Sequence, residues 1–330
     1  MNIAIIILNW NGKALLEQFL PSVIEHSQQI ADVYVADNAS TDDSVAFIKT
    51  HFPTVKIIHN KENGGYAKGY NDALKHIEAD VYCLMNSDIE TTQNWLLPIY
   101  SEFEKHPETA IVQPKLLDYN NKTHFEYAGA AGGFIDKLGY PYCRGRIFTT
   151  IEEDHGQYDD RSDIFWASGA CFFIRKDIFD VLGGFDESFF AHMEEVDLCW
   201  RAFNHGYKTK YIGASTVYHV GGATLHSNNP KKTHLNFRNS LFALVKNAEG
   251  HLLLLLLTRL ILDGVAGIRF LLQLKGIHTM AIIKAHFSFY KQLPRLLSFR
   301  NSSHKGKNYY QITSIVLFYY LKNCKTFNCL

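Results

Sequence analysis

Ile3-Ala4-Ile5-Ile6-Ile7-Leu8, followed at once by Asn9-Trp10-Asn11-Gly12, is the stretch that decides the fold. An unbroken apolar run rich in β-branched residues marks a strand buried on both faces, and the polar tetrapeptide marks where it stops. The run is short, lacks a basic flank and meets polar residues immediately, so it reads as a first strand and not as a signal peptide. Leu15, Leu16, Phe19, Leu20, Val23 and Ile24 then recur at helical spacing. Further strands are expected at 33–36, 55–58 and 81–85, with helices after Ser40, over 67–77 and over 95–106. This alternation predicts parallel βαβ units, hence an α/β fold with an open twisted sheet. Such sheets hold ligands beyond the carboxyl ends of their strands.

Beyond residue 106 the pattern is less regular. Residues 115–165 read as a variable loop or short hairpin region. A strand is expected at 169–175, a short helix at 177–182, a helix over 194–205 ended by Gly206, and short strands at 207–212 and 216–218. From residue 235 onward the pattern is helical.

The chain has 330 residues, 47% of them hydrophobic and 20% charged, which excludes wholesale disorder and allows one large domain or two modest ones. Its 33 basic and 33 acidic residues balance overall but not locally. Residues 231–330 hold 15 Lys/Arg against two acids, Glu249 and Asp263, so this third carries +13 and the rest −13. A basic region joined to an acidic body suggests an anionic partner. The six cysteines form no C-x-x-C pair, which argues against zinc, and their scatter fits a reducing compartment.

Four polar clusters follow expected strands: Asn9–Gly12, Asp37–Asp42, Asn63–Asn71 and Asn86-Ser87-Asp88. Any one of them alone is an ordinary turn or cap. Four on successive strand ends outline a site. Asp37 is placed to accept from a base or ribose. Gly64-Gly65 allows close backbone approach to a ligand. Asp88 is a hard oxygen ligand suited to Mg²⁺ or Mn²⁺ shared with a diphosphate. In Glu194-Glu195-Val196-Asp197, three carboxylates gather at a helix start, where the dipole favours their charge and an ionised one can serve as general base. Acids at helix starts are also commonplace, and Asp197 with Arg201 four residues on is the spacing of a simple ion pair. His219, before Val220-Gly221-Gly222, ends another strand and offers an imidazole for the same cation.

With these motifs in order, the chain resembles glycosyltransferase family 2, and within it the bacterial rhamnosyltransferase-like branch. The carriers are Ile5–Gly12, Asp37–Asp42, Asn63–Gly69, Leu84–Asp88, Gly183–Glu187 and Glu194–Arg201, and the likeness spans roughly 1–245. The resemblance implies a GT-A nucleotide-diphospho-sugar transferase fold over 1–235, followed by a basic, apolar helical region over 236–330. It implies donor binding by Asn9, Asn11, Asp37, Asn63, Gly64, Gly65, Lys68, Asn86 and Arg238, metal binding by Asp88 and His219, and base catalysis by Glu195, with Glu194 and Asp197 beside it. It also implies an inverting transfer from a nucleotide-diphospho-sugar to a glycan or polyprenyl-diphosphate-linked acceptor, with Mg²⁺ or Mn²⁺ as cofactor. Asn86 stands where many members carry Asp, and Glu195 replaces the usual Asp. Those departures sustain a second reading, a degenerate member acting as a glycan-binding or assembly subunit. A sugar nucleotidyltransferase is disfavoured, because Asn9–Gly12 has one glycine and no arginine.

The segments 252–274, 280–293 and 309–321 read as amphipathic helices flanked by Lys275, Lys284, Lys291, Arg295, Arg300, Lys305 and Lys307. Arg259, Asp263 and Arg269 interrupt the apolar run, which disfavours a spanning helix. Apolar helices with basic margins suit an anionic membrane surface better than a nucleic acid. The expected location is cytoplasmic, peripheral on the inner face of the cytoplasmic membrane. The plainer alternative is that these helices cap the catalytic domain or pair two chains in a homodimer.

Overall fold

The computed structural model describes residues 1–221, 229–300 and 308–330. Gly222, Lys305 and Lys307 lie outside the described residues.

The chain runs β1 (Ile3–Asn9), α1 (Lys13–Ser27), β2 (Ala31–Asp37), α2 (Ser44–His51), β3 (Lys56–His59), α3 (Gly65–Leu74), β4 (Val81–Asn86), β5 (Ile89–Thr91), α4 (Leu96–Lys105) and β6 (Thr109–Asp118). It continues through β7 (Gly133–Ile135), β8 (Pro141–Cys143), β9 (Arg146–Ile147), β10 (Thr150–Ile151), β11 (Arg161–Ile164), β12 (Cys171–Arg175), α5 (Lys176–Val181), α6 (Glu194–Asn204) and β13 (Lys208–His219). Four helices follow: α7 (Pro230–Asn247), α8 (Leu252–Leu272), α9 (Gly276–Ser298) and α10 (Ile315–Tyr320).

Nine strands form the main sheet, in the order β11-β13-β6-β12-β4-β1-β2-β3, with β5 on β13. The pairs β1/β2, β1/β4, β2/β3 and β6/β13 are parallel, while β12 enters antiparallel between β4 and β6. Alternate residues of β1 feed opposite cores. Ala4 and Ile6 face the side covered by α3, α5, α6 and α7, and Ile3, Ile5 and Ile7 face the side of α1 and α4. This two-sided burial is why the strand is apolar throughout.

The second half departs from the sequence expectation in two places. β6 is a ten-residue interior strand containing Pro114, a residue that argues against an interior strand. Its neighbour β13 slips register between Ile212 and Thr216, beside Pro114, and that irregularity lets the ladder tolerate the missing N–H. For the same reason β13 is one bulged strand where two short ones were expected. The segment read as a variable loop or short hairpin region carries short antiparallel strands that form a second sheet, β10-β9-β8-β7. Cys324 and Cys329 are joined in a disulfide, and the other four cysteines are buried thiols.

α8 and α9 form an antiparallel hairpin against α7. Arg259 and Asp263 turn inward. Arg259 donates to Asp263 Oδ1 (2.9 Å), Leu138 O (3.0 Å) and Ser240 Oγ (2.6 Å), while Tyr140 Oη and His286 Nε2 reach Asp263 at 2.8 and 3.1 Å. Outward it shows Leu253, Leu257, Ile261, Ile268 and Leu272 from α8, and Ile277, Met280, Ile283, Phe287 and Tyr290 from α9, all exposed. Among the described residues no helix is long and apolar enough to cross a membrane. The boundary expected at 235/236 falls inside α7.

Asp263→Ala strands the buried Arg259 guanidinium without its carboxylate. The expected loss is about 3–5 kcal/mol of stability, read as a lower urea midpoint at unchanged m-value.

Candidate functional site

The strand ends line up as the sequence implied. Asn9 stands opposite Asp37 in the β1/β2 register, and Leu8 opposite Asn86 in β1/β4. Asn9 donates from Nδ2 to Asp37 Oδ1 (3.4 Å) and to Ser40 Oγ (3.2 Å), while Asp37 Oδ2 accepts from Ser40 N (3.2 Å). Asn9 Oδ1 is buried with no partner. Asn11, in the left-handed region, accepts from Thr41 N and Asp42 N and so closes the loop after β2. Asn63 Oδ1 accepts from Asn38 Nδ2 (2.9 Å) and Gly65 N (3.0 Å).

Past β4, Asp88 is buried against His219, with Oδ1 3.1 Å from Nε2. Asn86 Nδ2 is 3.4 Å from the same nitrogen. On the other side of the ring, Nδ1 lies 3.2 Å from Glu126 Oε1. Burial opposes charge on Asp88, but its bond to His219 outweighs this and holds the carboxyl below its ordinary value. Burial likewise opposes charge on His219, and Glu126 and Asp88 together overcome it, pushing the imidazole up to about 10. The Asp88 carboxylate is a hard oxygen donor suited to Mg²⁺ or Mn²⁺, and His219 would join it only on giving up its Nε2 proton to the incoming cation. Among the described residues no cluster of three or more His, Cys, Asp or Glu could chelate an ion alone. The set therefore fits a cation that takes its remaining ligands from a diphosphate and water.

Glu194 and Glu195 open α6 behind a loop in which Phe190, His192 and Met193 all have positive φ, at 65°, 69° and 71°. Glu194 is buried and Glu195 half-buried, and each has a buried Oε2 without a partner. Burial drives Glu195 up to about 7 despite backbone N–H groups at the helix start. Burial and the adjacent Glu195 push Glu194 well above the ordinary range. Burial thus disfavours charge on both carboxylates, and their protons come off as those of a coupled pair. The turn at Gly169-Ala170 joins the two clusters. Asn86 N donates to Ala170 O (2.9 Å), Tyr66 Oη donates to Gly169 O (2.8 Å), and a Cβ on Gly169 would lie 3.7 Å from Glu195 Cδ.

Four expected residues prove to be engaged elsewhere. Asp197 accepts from Arg201, Lys246 and Asn247, on the far side of α6 from Glu195, so its carboxylate belongs to a buried ion-paired network. Arg238 donates to Ser188 O and Phe189 O, so its guanidinium braces the loop before α6. Lys68 pairs with Asp72 and Glu62 at the surface. The close approach that Gly65 permits is to the chain itself: at φ 79°, a Cβ there would sit 2.6 Å from Phe190 O. Sequence reasoning missed Glu126. It also missed Arg146, buried beside Glu126 and Tyr127 with its Nε unpartnered. Both lie in the stretch read as a variable loop, where no strand pattern pointed inward.

A family model described as Glycosyl transferase family 2 matches residues 4–183. N-acetylglucosaminyl-diphospho-decaprenol L-rhamnosyltransferase of Mycobacterium tuberculosis is 25% identical over 222 residues, 62% of this chain and 71% of that protein. Among solved structures, Staphylococcus aureus TarS residues 1–349 in complex with UDP-GlcNAc superposes with a TM-score of 0.57 at 14% identity, covering 91% of this chain and 84% of that one. The mannosyltransferase PcManGT of Pyrobaculum calidifontis, in complex with GDP-Man and Mn²⁺, gives 0.54 at 13% identity, covering 87% and 86%. The fold is the GT-A glycosyltransferase fold.

Glu195 is ionised less readily in the folded chain than at its ordinary 4.5, so it destabilises the fold only where it must carry charge. That penalty is absent below about pH 4.5 and fully developed above about pH 7. Glu195→Gln should therefore raise Tm at pH 8, by roughly 2–4 °C for each kcal/mol relieved, and leave it near wild type at pH 4.5. Thermal melts at the two pH values check this.

Proposed function

The chain belongs to glycosyl transferase family 2, and on that footing we propose that it is an inverting, metal-dependent glycosyltransferase acting on a lipid-linked glycan. The observation that carries the reading is the Glu194/Glu195 pair, each with a buried Oε2 that finds no partner, beside the Gly169 turn that borders the strand ends. A base tuned to the working pH combines the right protonation state with driving force for proton removal.

The donor is a nucleotide-diphospho-sugar. Asp37, Asn9, Asn11 and Asn63 face its nucleoside, and Asn86 its diphosphate side. Asp88 and His219 would hold Mg²⁺ or Mn²⁺, which would supply positive charge toward the departing diphosphate. Glu195 takes the proton of the acceptor hydroxyl as that oxygen bonds to the anomeric carbon. The bond from that carbon to the diphosphate oxygen breaks on the opposite face, and the configuration inverts. Charge builds at the anomeric centre as in glycoside hydrolysis, without a covalent enzyme intermediate. The relative's name supports a polyprenyl-diphosphate-linked acceptor and rhamnose as the sugar, and we place the reaction in bacterial surface polysaccharide synthesis.

Such an acceptor resides in a membrane, and the α8–α9 hairpin is the surface we assign to the inner face of the cytoplasmic membrane. Its exposed apolar stripe has Arg269, Lys275, Lys284 and Lys291 exposed on the same hairpin, and its one acid, Asp263, is buried. A helix of this kind lies in the interface, and each basic residue near an anionic leaflet adds about 1 kcal/mol.

Calorimetry with dTDP, UDP, GDP and CMP tests the donor site. One nucleoside diphosphate should bind, more tightly with Mn²⁺. Glu195→Gln should keep that binding while turnover of the matching donor falls about 10²–10⁴-fold. In wild type, turnover should rise with pH through about 7. A folded chain that binds no nucleotide would instead support the glycan-binding subunit. Separately, the protein should sediment with anionic liposomes, less with zwitterionic ones, and stay in the supernatant when Ile261 and Phe287 are both changed to Glu. Wild type in the supernatant with anionic vesicles removes the membrane assignment.

A further inference from the structure

We propose that Arg146 is an anion-binding residue of the acceptor subsite: its guanidinium takes a phosphate of a lipid-linked acceptor, beside Glu195 and apart from the donor diphosphate. This role rests on the acceptor reading given above, a sugar held on a diphosphate, and it falls on a residue that no sequence motif marked.

Six Lys and Arg side chains are buried among the described residues. Five of them meet a carboxylate at 2.6–2.9 Å: Lys115 meets Asp154, Arg144 Asp160, Lys210 Asp163, Lys246 Asp186 and Arg259 Asp263. Arg146, only 8% exposed, is the sixth and meets none. The one hydrogen bond of its side chain runs from Nη2 to Cys143 Sγ at 3.4 Å, and sulfur is a weak acceptor. Nε is closed off from solvent without a partner. Burial opposes the charge of Arg146, and Glu126 favours it only from beyond contact distance. That carboxylate is directed elsewhere, with Oε2 accepting from Ala128 N (2.6 Å) and Oε1 facing His219 (3.2 Å). A buried cation without its counter-ion is costly, and an anionic ligand would complete it.

The guanidinium is held ready for one. Its Cζ lies 4.6 Å from the centroid of the Tyr127 ring, which braces one face of the fork while the ring itself stays half exposed. A planar set of N–H donors matches the oxygens of a phosphate. Tyr127 follows Glu126, and two residues further on Gly129 packs against Ser168, next to the Gly169 turn that borders Glu195. Burial raises the Cys143 thiol; Arg146 opposes this, and Glu126 and Glu195 add to it. The sulfur that Arg146 touches therefore lies within electrostatic reach of the base. An acceptor with one sugar on a diphosphate brings an anion one ring away from the hydroxyl that attacks. The cation at Asp88 and His219 would serve the donor diphosphate, and Arg146 supplies the separate positive charge that the acceptor needs.

The alternative is that Arg146 only packs against Cys143 and Tyr127. Arg146→Met separates the two, because it keeps the apolar stem and removes the charge.

The experiment is calorimetry on the full chain, metal-free and saturated with the nucleoside diphosphate that the donor-site titration selects. The donor site is then filled, and no probe can sequester a cation. The probes are inorganic pyrophosphate, geranyl diphosphate and, as the neutral control, geraniol; thermal melts confirm that each variant is folded. Wild type should bind both diphosphates, and Arg146→Met should bind them about 10–100-fold more weakly. Its affinities for the nucleoside diphosphate and for geraniol should stay within twofold of wild type. Wild type that binds neither diphosphate, or a folded Arg146→Met that binds them as wild type does, overturns the inference and leaves the proposed function standing. A fall in nucleoside diphosphate affinity in Arg146→Met assigns the guanidinium to the donor side and overturns it too. Should wild type bind no nucleotide, the transferase reading fails, and the same titration on the empty chain still decides for or against the anion site. Should Arg146→Met not fold, Arg146→Lys is read the same way: it keeps the charge but not the fork, and diphosphate affinity must still fall.

Discussion

The side-chain amide of Asn239 holds the loop on which this site depends. Three of the four residues from Phe190 to Met193 have positive φ without being glycine, a conformation that costs of order 1–3 kcal/mol each unless the surroundings enforce it. Asn239, fully buried on α7, turns Nδ2 toward the carbonyls of Phe189 (3.0 Å), Ala191 (2.9 Å) and His192 (2.7 Å). Its Oδ1 accepts from Arg238 Nε (2.8 Å), and Arg238 in turn holds Ser188 O and Phe189 O. From the opposite side Tyr66 N donates to Phe190 O at 3.0 Å. Loosened from these anchors, the loop would relax toward ordinary backbone and α6 would no longer start where Glu194 and Glu195 meet the strand ends.

Placed this way, carboxylates close in sequence acquire opposite characters. Glu195 is buried without a cation beside it and is pushed up to about 7. Asp197, two residues later, lies about 200° further around the helix. There burial is outweighed by Lys246 and Arg201, and the group stays below its ordinary value. Asp88 is buried too, but an imidazole keeps it charged. One group is thus tuned to exchange a proton and two to remain anions, and the difference comes from which face of an element each residue occupies.

The legible part of the fold was the part with a period. β1, β2, β4 and the helices between them announced themselves by apolar runs and helical spacing, and their polar ends fell into register as expected. β6 was hidden because Gln113, Pro114 and Lys115 break its apolar run. Gln113 is satisfied inside by Gly129 O and Ser168 N, and Lys115 by Asp154 and Asp159, partners that only tertiary structure supplies. Glu126 and Arg146 were hidden likewise, in a stretch whose short strands have no readable alternation. Arg238 and Gly65 were noticed for the right reason, a cation and a flexible backbone near the donor. What they approach, however, is the chain's own loop, and no spacing in one dimension distinguishes a carbonyl of residue 190 from an oxygen of a ligand.

The same distinction governs the C-terminal hairpin. Arg259 and Asp263 interrupt the apolar sequence and argue against a spanning helix, yet both point inward, where they fasten α8 to Leu138, Tyr140 and Ser240 of the body. These two interruptions therefore leave the outer face apolar through Leu257, Ile261, Val265 and Ile268, and the third, Arg269, is exposed near the end of α8. A helix bound along one side and apolar along the other is suited to lie on a bilayer and not to cross it. α9 completes the connection. Its Arg295 donates to Asp186 Oδ1 (2.8 Å) and Ser188 Oγ (2.9 Å), at the foot of the loop that Arg238 and Asn239 brace. The surface proposed for the membrane and the loop before Glu195 thus share anchors, so in the proposed arrangement docking the hairpin would fix the height and tilt at which Glu195 meets a lipid-held acceptor.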